Sequence, residues 1–325
     1  MGKSEAHDPV GQLAHFIVEQ FVGSLDDFVR NKTDKLLHLT KEPEEASKER
    51  LLVLLKDNAT KATKDNKNEN SCNNAESGKS PLFFYLLKTY SWKDDIKDEL
   101  DGEGFKNLKK FLKEEHGINQ PRKLIARRIK TRDEYAWLND NSNDTLTNQE
   151  KQDQLEKLAK KIIFQWGRIS FGGQKKKSDV NYYERVRIEE RENDSEIIAS
   201  RSKFYAHTRP EIRFIYDSRV AMALFLLTLL SNQKKTFFFP LVAGRSNAYQ
   251  QIKELFKDEY ELSLKQEEPF YVDKYCDLIQ KVSANLTQKF KIQDKLTEEE
   301  QKIFGQLVEM ALFSLGRKIK GAGKR

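Results

Sequence analysis

Residues 212–224 read IRFIYDSRVAMAL and set two charges into the most apolar part of the chain. The apolar run continues to Leu230, and its length and flanks predict a buried helix over residues 218–230. Asp217 stands just before that helix, where an aspartate side chain caps free backbone N–H groups. Arg219 follows two residues later. These residues leave three interpretations open: a helix cap with a nearby salt bridge, a catalytic or ligand-binding site, or a buried charge pair.

The composition is that of a charge-rich protein with enough hydrophobic residues to form a sizeable core. Of 325 residues, 38% are hydrophobic and 34% are charged, and 58 basic against 51 acidic residues give a net charge of +7. A basic balance favours a polyanionic partner, and DNA is the partner we expect. Cys72 and Cys276 are the only cysteines, so we expect no disulfide and no iron–sulfur cluster. The histidine spacing predicts no metal site, and we expect no cofactor.

Membrane insertion is not expected. The longest apolar run, residues 220–230, is too short to cross a bilayer. The N-terminal residues lack the long apolar core of a signal peptide. These features predict a cytoplasmic protein with no membrane partner.

The sequence divides at two polar tracts into mostly helical parts. Helical spacing of apolar residues and a capping box beginning at Thr147 predict a mostly α, multi-helix globular protein with little β structure. Residues 180–188, VNYYERVRI, are predicted to form a strand or an irregular arm. The predicted parts are an N-terminal helical region (1–56), a flexible polar loop (57–80), a basic helical region (81–138), a second polar loop (139–153), and a central and C-terminal helical region (154–325).

The densest basic segment lies within residues 105–132. Leu124, Ile125 and Ile129 are placed to face inward on a helix that begins near Pro121. The remaining basic side chains are predicted to face solvent and to neutralise DNA phosphates, with a solvated helix face as the alternative. They are Arg122, Lys123, Arg127, Arg128, Lys130 and Arg132.

Further basic positions lie outside this segment. The sequence GGQKKKS at 172–178 predicts a basic loop that places Lys175, Lys176 and Lys177 over a phosphate backbone. Arg245 follows a glycine at a predicted helix start, which is a typical anion site. Arg201, on a predicted helix over 196–207, and Arg219 are further candidates for nucleic-acid contact.

The order of elements before Asp217 resembles the helix-hairpin-helix DNA glycosylase superfamily. A helix (196–207), an extended approach (211–216), Asp217 and an apolar helix follow one another, and FIYDSRVAMAL is similar to a V-D-x-x-V segment of that family. The sequence KKIIFQWGRI at 160–169 is similar to another of its helices. The resemblance covers roughly residues 155–230. It implies a glycosylase-like central region that grips DNA, with Asp217 as the carboxylate beside the deoxyribose.

The sequence also departs from that family. Its hairpin reads RENDSEI without a glycine-rich turn, and Ala199 stands where lyase-type members carry a lysine; Lys203 is out of register. The resemblance therefore implies no Schiff-base lyase.

The leading hypothesis is a DNA-binding protein of a bacterial DNA-defence or DNA-processing system, with or without other protein subunits. Whether the chain is an enzyme is left open. The alternatives are an active monofunctional DNA glycosylase that uses Asp217, with a pocket lined by Trp166, Tyr205 or Tyr216, and a subunit that binds an acidic protein partner.

Overall fold

The structure is a computed structural model of the chain. It describes residues 8–24, 27–28, 80–91, 97–100, 103–140, 142, 145–166, 182–187, 195–231, 239, 241–242, 249–250, 253–254, 256–258, 261 and 274–321. Within these ranges the protein is mostly helical and has no strand, apart from one isolated antiparallel bridge between Ser24 and Pro81. The prediction of a mostly α protein is confirmed.

The described helices are numbered here in chain order. They are α1 (Pro9–Val22), α2 (Leu82–Lys88), α3 (Lys106–Lys109), α4 (Gln120–Asn139), α5 (Asn148–Lys160), α6 (Tyr182–Arg187), α7 (Ser195–Thr208), α8 (Ser218–Leu230), α9 (Cys276–Lys289) and α10 (Glu298–Gly321). Two π-helical turns, Lys110–Glu115 and Lys161–Trp166, extend α3 and α5. Short 3₁₀ turns cover Glu103–Phe105 and Gln293–Lys295.

Two helix starts follow from local chemistry that the sequence displays. The Thr147 side chain accepts a hydrogen bond from the backbone N–H of Glu150, and the Glu150 side chain accepts from the N–H of Thr147. This is the predicted capping box. Asp217 caps α8, which begins at Ser218 and ends at Leu230 as predicted.

The centre of the fold is the crossing of α8 and α10, which pack more extensively on each other than any other described pair. Every residue of α8 from Val220 to Leu230 is buried. Gly316 lies at the crossing, where an added Cβ atom would come 1.9 Å from the carbonyl oxygen of Arg219. A glycine is therefore needed for the two backbones to approach this closely. Around this crossing, α9 and α2 pack on α10, and α1 packs on α9.

A second, smaller hydrophobic cluster joins α5, its π-helical turn, α6 and α7. Tyr182 and Tyr183 lie within it and are almost fully buried. The prediction of a strand or an irregular arm for their segment is wrong, because residues 182–187 form α6. The Glu156 carboxylate of α5 accepts hydrogen bonds from the N–H groups of Tyr182 and Tyr183, at 2.9 and 2.7 Å, and so stabilises this helix start.

Polar side chains are buried where α4, α7, α8 and α10 meet. They include Arg128 of α4, Lys203 and His207 of α7, Asp217 at the start of α8 and Glu309 of α10. None of the described helices combines the length and apolar character needed to span a lipid bilayer.

Candidate nucleic-acid interface

The basic helix α4 carries the six predicted phosphate contacts, and carboxylates upstream of it pair with several of them. Arg127 donates from Nε to Asp98 Oδ2 at 2.9 Å, and Lys130 Nζ lies 3.6 Å from Asp98 Oδ1. Arg122 forms an ion pair with Glu99. Burial raises the pKa of Asp98, but its contacts to Arg127 and Lys130 outweigh burial and hold that pKa below the ordinary value.

Arg128 forms an ion pair inside the protein. Its Nη1 and Nη2 atoms donate to the two carboxylate oxygens of Glu309, at 2.8 and 3.2 Å, and both side chains are almost entirely buried. Glu309 also accepts from the backbone N–H of Ile215 at 3.0 Å. Burial raises the pKa of Glu309, and the Arg128 charge and the Ile215 N–H offset this only in part. The pair ties α4 and α10 to the approach to Asp217.

Arg132 joins three elements near the end of α4. It donates to Asp133, to Glu211 at 2.6 Å and to Glu299 at 2.8 Å. Burial lowers the pKa of Arg132, but the bonds to these carboxylates raise that pKa above its ordinary value. The charge of Arg132 is thus shared among carboxylates of the protein itself.

The expectation that all six basic side chains face solvent is wrong for Arg122 and Arg128, whose exposed fractions are 5% and 0%. The physical reason is that α4 packs against α5, α7 and α10, so more than one of its faces is buried. Lys123 is half-buried. Lys130 keeps a side chain that is 77% exposed and is the α4 cation best placed to reach a polyanion.

An aromatic and cationic cluster forms where the π-helical turn of α5 meets α4. The guanidinium carbon of Arg127 lies 4.6 Å from the centre of the half-buried Trp166 ring, and Lys161 Nζ lies 4.9 Å from it. Lys161 is exposed, and Lys130 joins the group because it shares Asp98 with Arg127. π-Helical turns are frequent at functional sites. We call Trp166, Arg127, Lys130 and Lys161 the Trp166 cluster.

His207 lies beneath the Trp166 cluster, with its ring centre 5.5 Å from that of Trp166. His207 Nδ1 is 2.8 Å from the carbonyl oxygen of Lys203, so Nδ1 carries the hydrogen and donates. Burial holds the pKa of His207 well below its ordinary value, and the charges of Arg128, Arg127 and Lys203 add to this effect more than the Nδ1 hydrogen bond opposes it. The imidazole is therefore neutral at physiological pH.

Asp217 has the geometry of a helix cap. Its Oδ1 accepts from the N–H groups of Arg219 and Val220, at 2.8 and 3.2 Å. Its Oδ2 lies 3.5 Å from Arg219 Nη1, and the Arg219 guanidinium carbon lies 4.5 Å from the centre of the Phe313 ring. The cap and the salt bridge predicted as one interpretation of these two charges are both present.

Lys203 is the titratable neighbour of Asp217 on α7. Burial lowers the pKa of Lys203, and the negative charge of Asp217 opposes this shift. Arg201, two residues earlier on the same helix, is 7% exposed. The α7 candidate for phosphate contact is thus placed inside the protein, away from its surface.

The remaining candidates lie either in the core or in parts of the chain that the structure does not describe. Tyr205 donates from its hydroxyl to the carbonyl oxygen of Val186, and Tyr216 packs edge-on against Tyr275. Both tyrosines are buried. Lys175, Lys176, Lys177 and Arg245 lie outside the residues that the structure describes.

Sequence reasoning missed Glu309 and His207. Glu309 interrupts the apolar run LVEMALF at 307–313, and a lone carboxylate in such a run indicates a buried partner. His207 gave no comparable signal, because its importance comes from its contacts to α4 and to Trp166. Among the described residues, no three His, Cys, Asp or Glu side chains are grouped so as to hold a metal ion.

Neither a family model, nor a curated protein, nor a solved structure matches this chain.

Proposed function

We propose that this chain is a DNA-binding protein with a glycosylase-like helical centre, acting in a DNA-defence or DNA-processing system, and that the Trp166 cluster is its contact to DNA. The observation that carries the proposal is the half-buried Trp166 ring with Arg127 and Lys161 within 5 Å of its centre. An indole face flanked by cations is typical of proteins that stack on bases and neutralise neighbouring phosphates. The net charge of +7 also attracts DNA over longer distances.

The exposed cations of the cluster are the ones that a test must remove. Lys130 and Lys161 are exposed; Lys130 shares Asp98 with Arg127, and Lys161 contacts the Trp166 ring. Arg128 is unsuitable, because its removal would leave the buried carboxylate of Glu309 without its partner and would change folding.

The experiment is a titration of labelled duplex DNA across a series of salt concentrations. If Lys130 and Lys161 each neutralise one phosphate, Lys130→Ala/Lys161→Ala will lower the magnitude of the log–log salt slope by about 2. The matched control is Lys289→Ala/Lys302→Ala, which removes the same charge from exposed positions on α9 and α10. If both double variants lower the salt slope equally, a local contact of Lys130 and Lys161 with DNA is contradicted. Absence of binding at low salt contradicts the proposal as a whole, and the basic surface would then be explained by an acidic protein partner or by solubility alone.

A second candidate function is a monofunctional DNA glycosylase that uses Asp217, and the cap geometry favours it over other chemistry at this position. Two backbone N–H groups at the start of α8 donate hydrogen bonds to the Asp217 carboxylate and fix its position. An ionised carboxylate stabilises the positive charge that develops on a deoxyribose as the base leaves, and water then adds to the sugar. Asp217→Asn keeps the cap and removes the charge. Loss of base release from damaged duplex in Asp217→Asn, with DNA binding retained, supports this function; no base release by the unmodified protein contradicts it.

A further inference from the structure

The four arginine side chains of α4 are all paired with carboxylates of the protein itself. The partners are Glu99 for Arg122, Asp98 for Arg127, Glu309 for Arg128, and Asp133, Glu211 and Glu299 for Arg132. A phosphate that approaches one of these guanidinium groups must compete with a carboxylate already in contact with it. The number of basic residues on α4 therefore overstates the positive charge that the helix offers to DNA.

The Trp166 cluster contributes two exposed cations, Lys130 and Lys161. Lys130 Nζ lies 3.6 Å from an Asp98 oxygen, which weakens its attraction for a phosphate further. Two lysines neutralise about two phosphates, whereas proteins whose binding to duplex DNA depends steeply on salt make roughly 6–10 such contacts. Phosphate neutralisation by this cluster alone therefore gives weak binding.

The Trp166 indole offers a contact of a different kind. Arg127 and His207, which are largely enclosed, lie 4.6 and 5.5 Å from the centre of the half-buried ring and hold it from within the fold. Lys161 is exposed and lies 4.9 Å from that centre, so it approaches the ring from solvent. A lysine side chain is flexible and can leave the ring. The aromatic surface that it covers is then open to another planar ring.

The placement of Trp166 favours an unpaired base over a base inside a duplex. A base within a duplex is paired and stacked between its neighbours, and its removal costs both kinds of contact. Side chains that insert between base steps project from the protein surface, whereas the Trp166 ring is half-buried. A base in a single strand has a free face and can turn onto the indole without this cost.

We propose that the Trp166 cluster binds unpaired bases, so that single-stranded DNA is its substrate in preference to intact duplex. Trp166 stacks on the unpaired base, while Lys130 and Lys161 neutralise phosphates of the same strand. The inference rests on the proposed DNA-binding function and specifies its substrate. Intact duplex still binds at low salt through the two lysines, but it lacks the contribution of stacking.

The first measurement is fluorescence anisotropy of the unmodified full chain with three labelled DNAs of one sequence: a single strand, its intact duplex, and that duplex with one unpaired base. We expect the single strand and the duplex with an unpaired base to bind about tenfold more tightly than the intact duplex, as one stacked base contributes. The preference is expected to persist as salt is raised, because stacking releases no counterions. Equal or tighter binding of the intact duplex overturns the inference and leaves the proposed function standing. Failure of all three DNAs to bind at low salt contradicts the proposed function itself.

The second measurement assigns the preference to the indole. Trp166→Leu is expected to bind the single strand and the intact duplex equally, whereas Trp166→Phe keeps a ring that stacks and retains most of the preference. The matched control is Trp137→Leu, because Trp137 is 46% exposed, lies on α4 and is outside the cluster. This control is expected to keep the full preference. A preference that survives in Trp166→Leu, or that is lost in Trp137→Leu, overturns the assignment to Trp166.

Discussion

Replacing Glu309 by glutamine is expected to destabilise the protein more than any other isosteric change described here. Glutamine fills the same space and still accepts from the N–H of Ile215, but it removes the negative charge. The Arg128 guanidinium then stays buried, with no exposed surface and no counter-charge. Breaking a buried ion pair from one side costs about 3–5 kcal/mol in the free energy of unfolding.

Replacing both Arg128 and Glu309 is expected to change the free energy of unfolding differently. Burial raises the pKa of Glu309 even though the Arg128 guanidinium lies beside it. The cost of removing this carboxylate from water therefore offsets part of its attraction to Arg128. Arg128→Met/Glu309→Leu removes both charges together. Removing both charges is expected to add up to about 4 kcal/mol to the free energy of unfolding. Loss of the acceptor for the Ile215 N–H is expected to subtract about 1–3 kcal/mol. The double variant is therefore expected to be more stable than Glu309→Gln.

Urea denaturation followed by circular dichroism measures both effects as shifts in the transition midpoint at unchanged slope. The control is Glu298→Gln, which breaks an exposed pair with Lys302 and is expected to leave the midpoint unchanged. A cost below about 1 kcal/mol for Glu309→Gln would refute the reasoning, since it would mean that Arg128 reaches water. A large cost for the double variant would show that shape complementarity at this position outweighs charge.

Three further predictions concern packing, capping and titration. Gly316→Ala brings a Cβ atom to 1.9 Å from the Arg219 carbonyl oxygen and is expected to cost about 3 kcal/mol or more in denaturation, whereas Gly104→Ala meets only a side chain at 3.7 Å and is the control. Asp217→Ala is expected to cost about 1 kcal/mol through loss of the α8 cap, and Asp217→Asn much less; equal losses would contradict the capping role. Because burial depresses the pKa of His207, its contribution to stability is complete above about pH 6.5 and is lost as pH falls toward the folded-state pKa, by at most about 1.4 kcal/mol per pH unit. Stability curves against pH for His207→Leu should lack this component, and an unchanged curve would contradict the burial of a neutral imidazole.

Local chemistry made several elements predictable from the sequence. Asp217 before an apolar run and Thr147 before Glu150 are helix starts whose hydrogen bonds span two or three residues, and both are present. The mostly helical class followed from the spacing of apolar residues.

Partners distant in sequence were not predictable in this way. The position of Arg128 on a basic helix indicates a solvated face, and only the packing of α10 shows that it is buried against a residue 181 positions later. Helix α6 was mistaken for a strand or an arm for a similar reason, because its start is stabilised by Glu156, 26 residues earlier. The Trp166 cluster likewise joins residues of α4 and of the turn after α5, whose proximity no sequence period reveals.

The ion pair between Arg128 and Glu309 also has a consequence for synthesis of the chain on the ribosome. The two residues are separated by 181 positions, and translation proceeds at about 5–20 residues per second. On the order of ten to forty seconds therefore pass between the synthesis of Arg128 and the synthesis of Glu309. During that interval the earlier helices cannot close over the guanidinium, and their apolar faces stay open to solvent. The nascent protein is then a substrate for chaperones that hold hydrophobic segments, and it matures only when α10 has emerged.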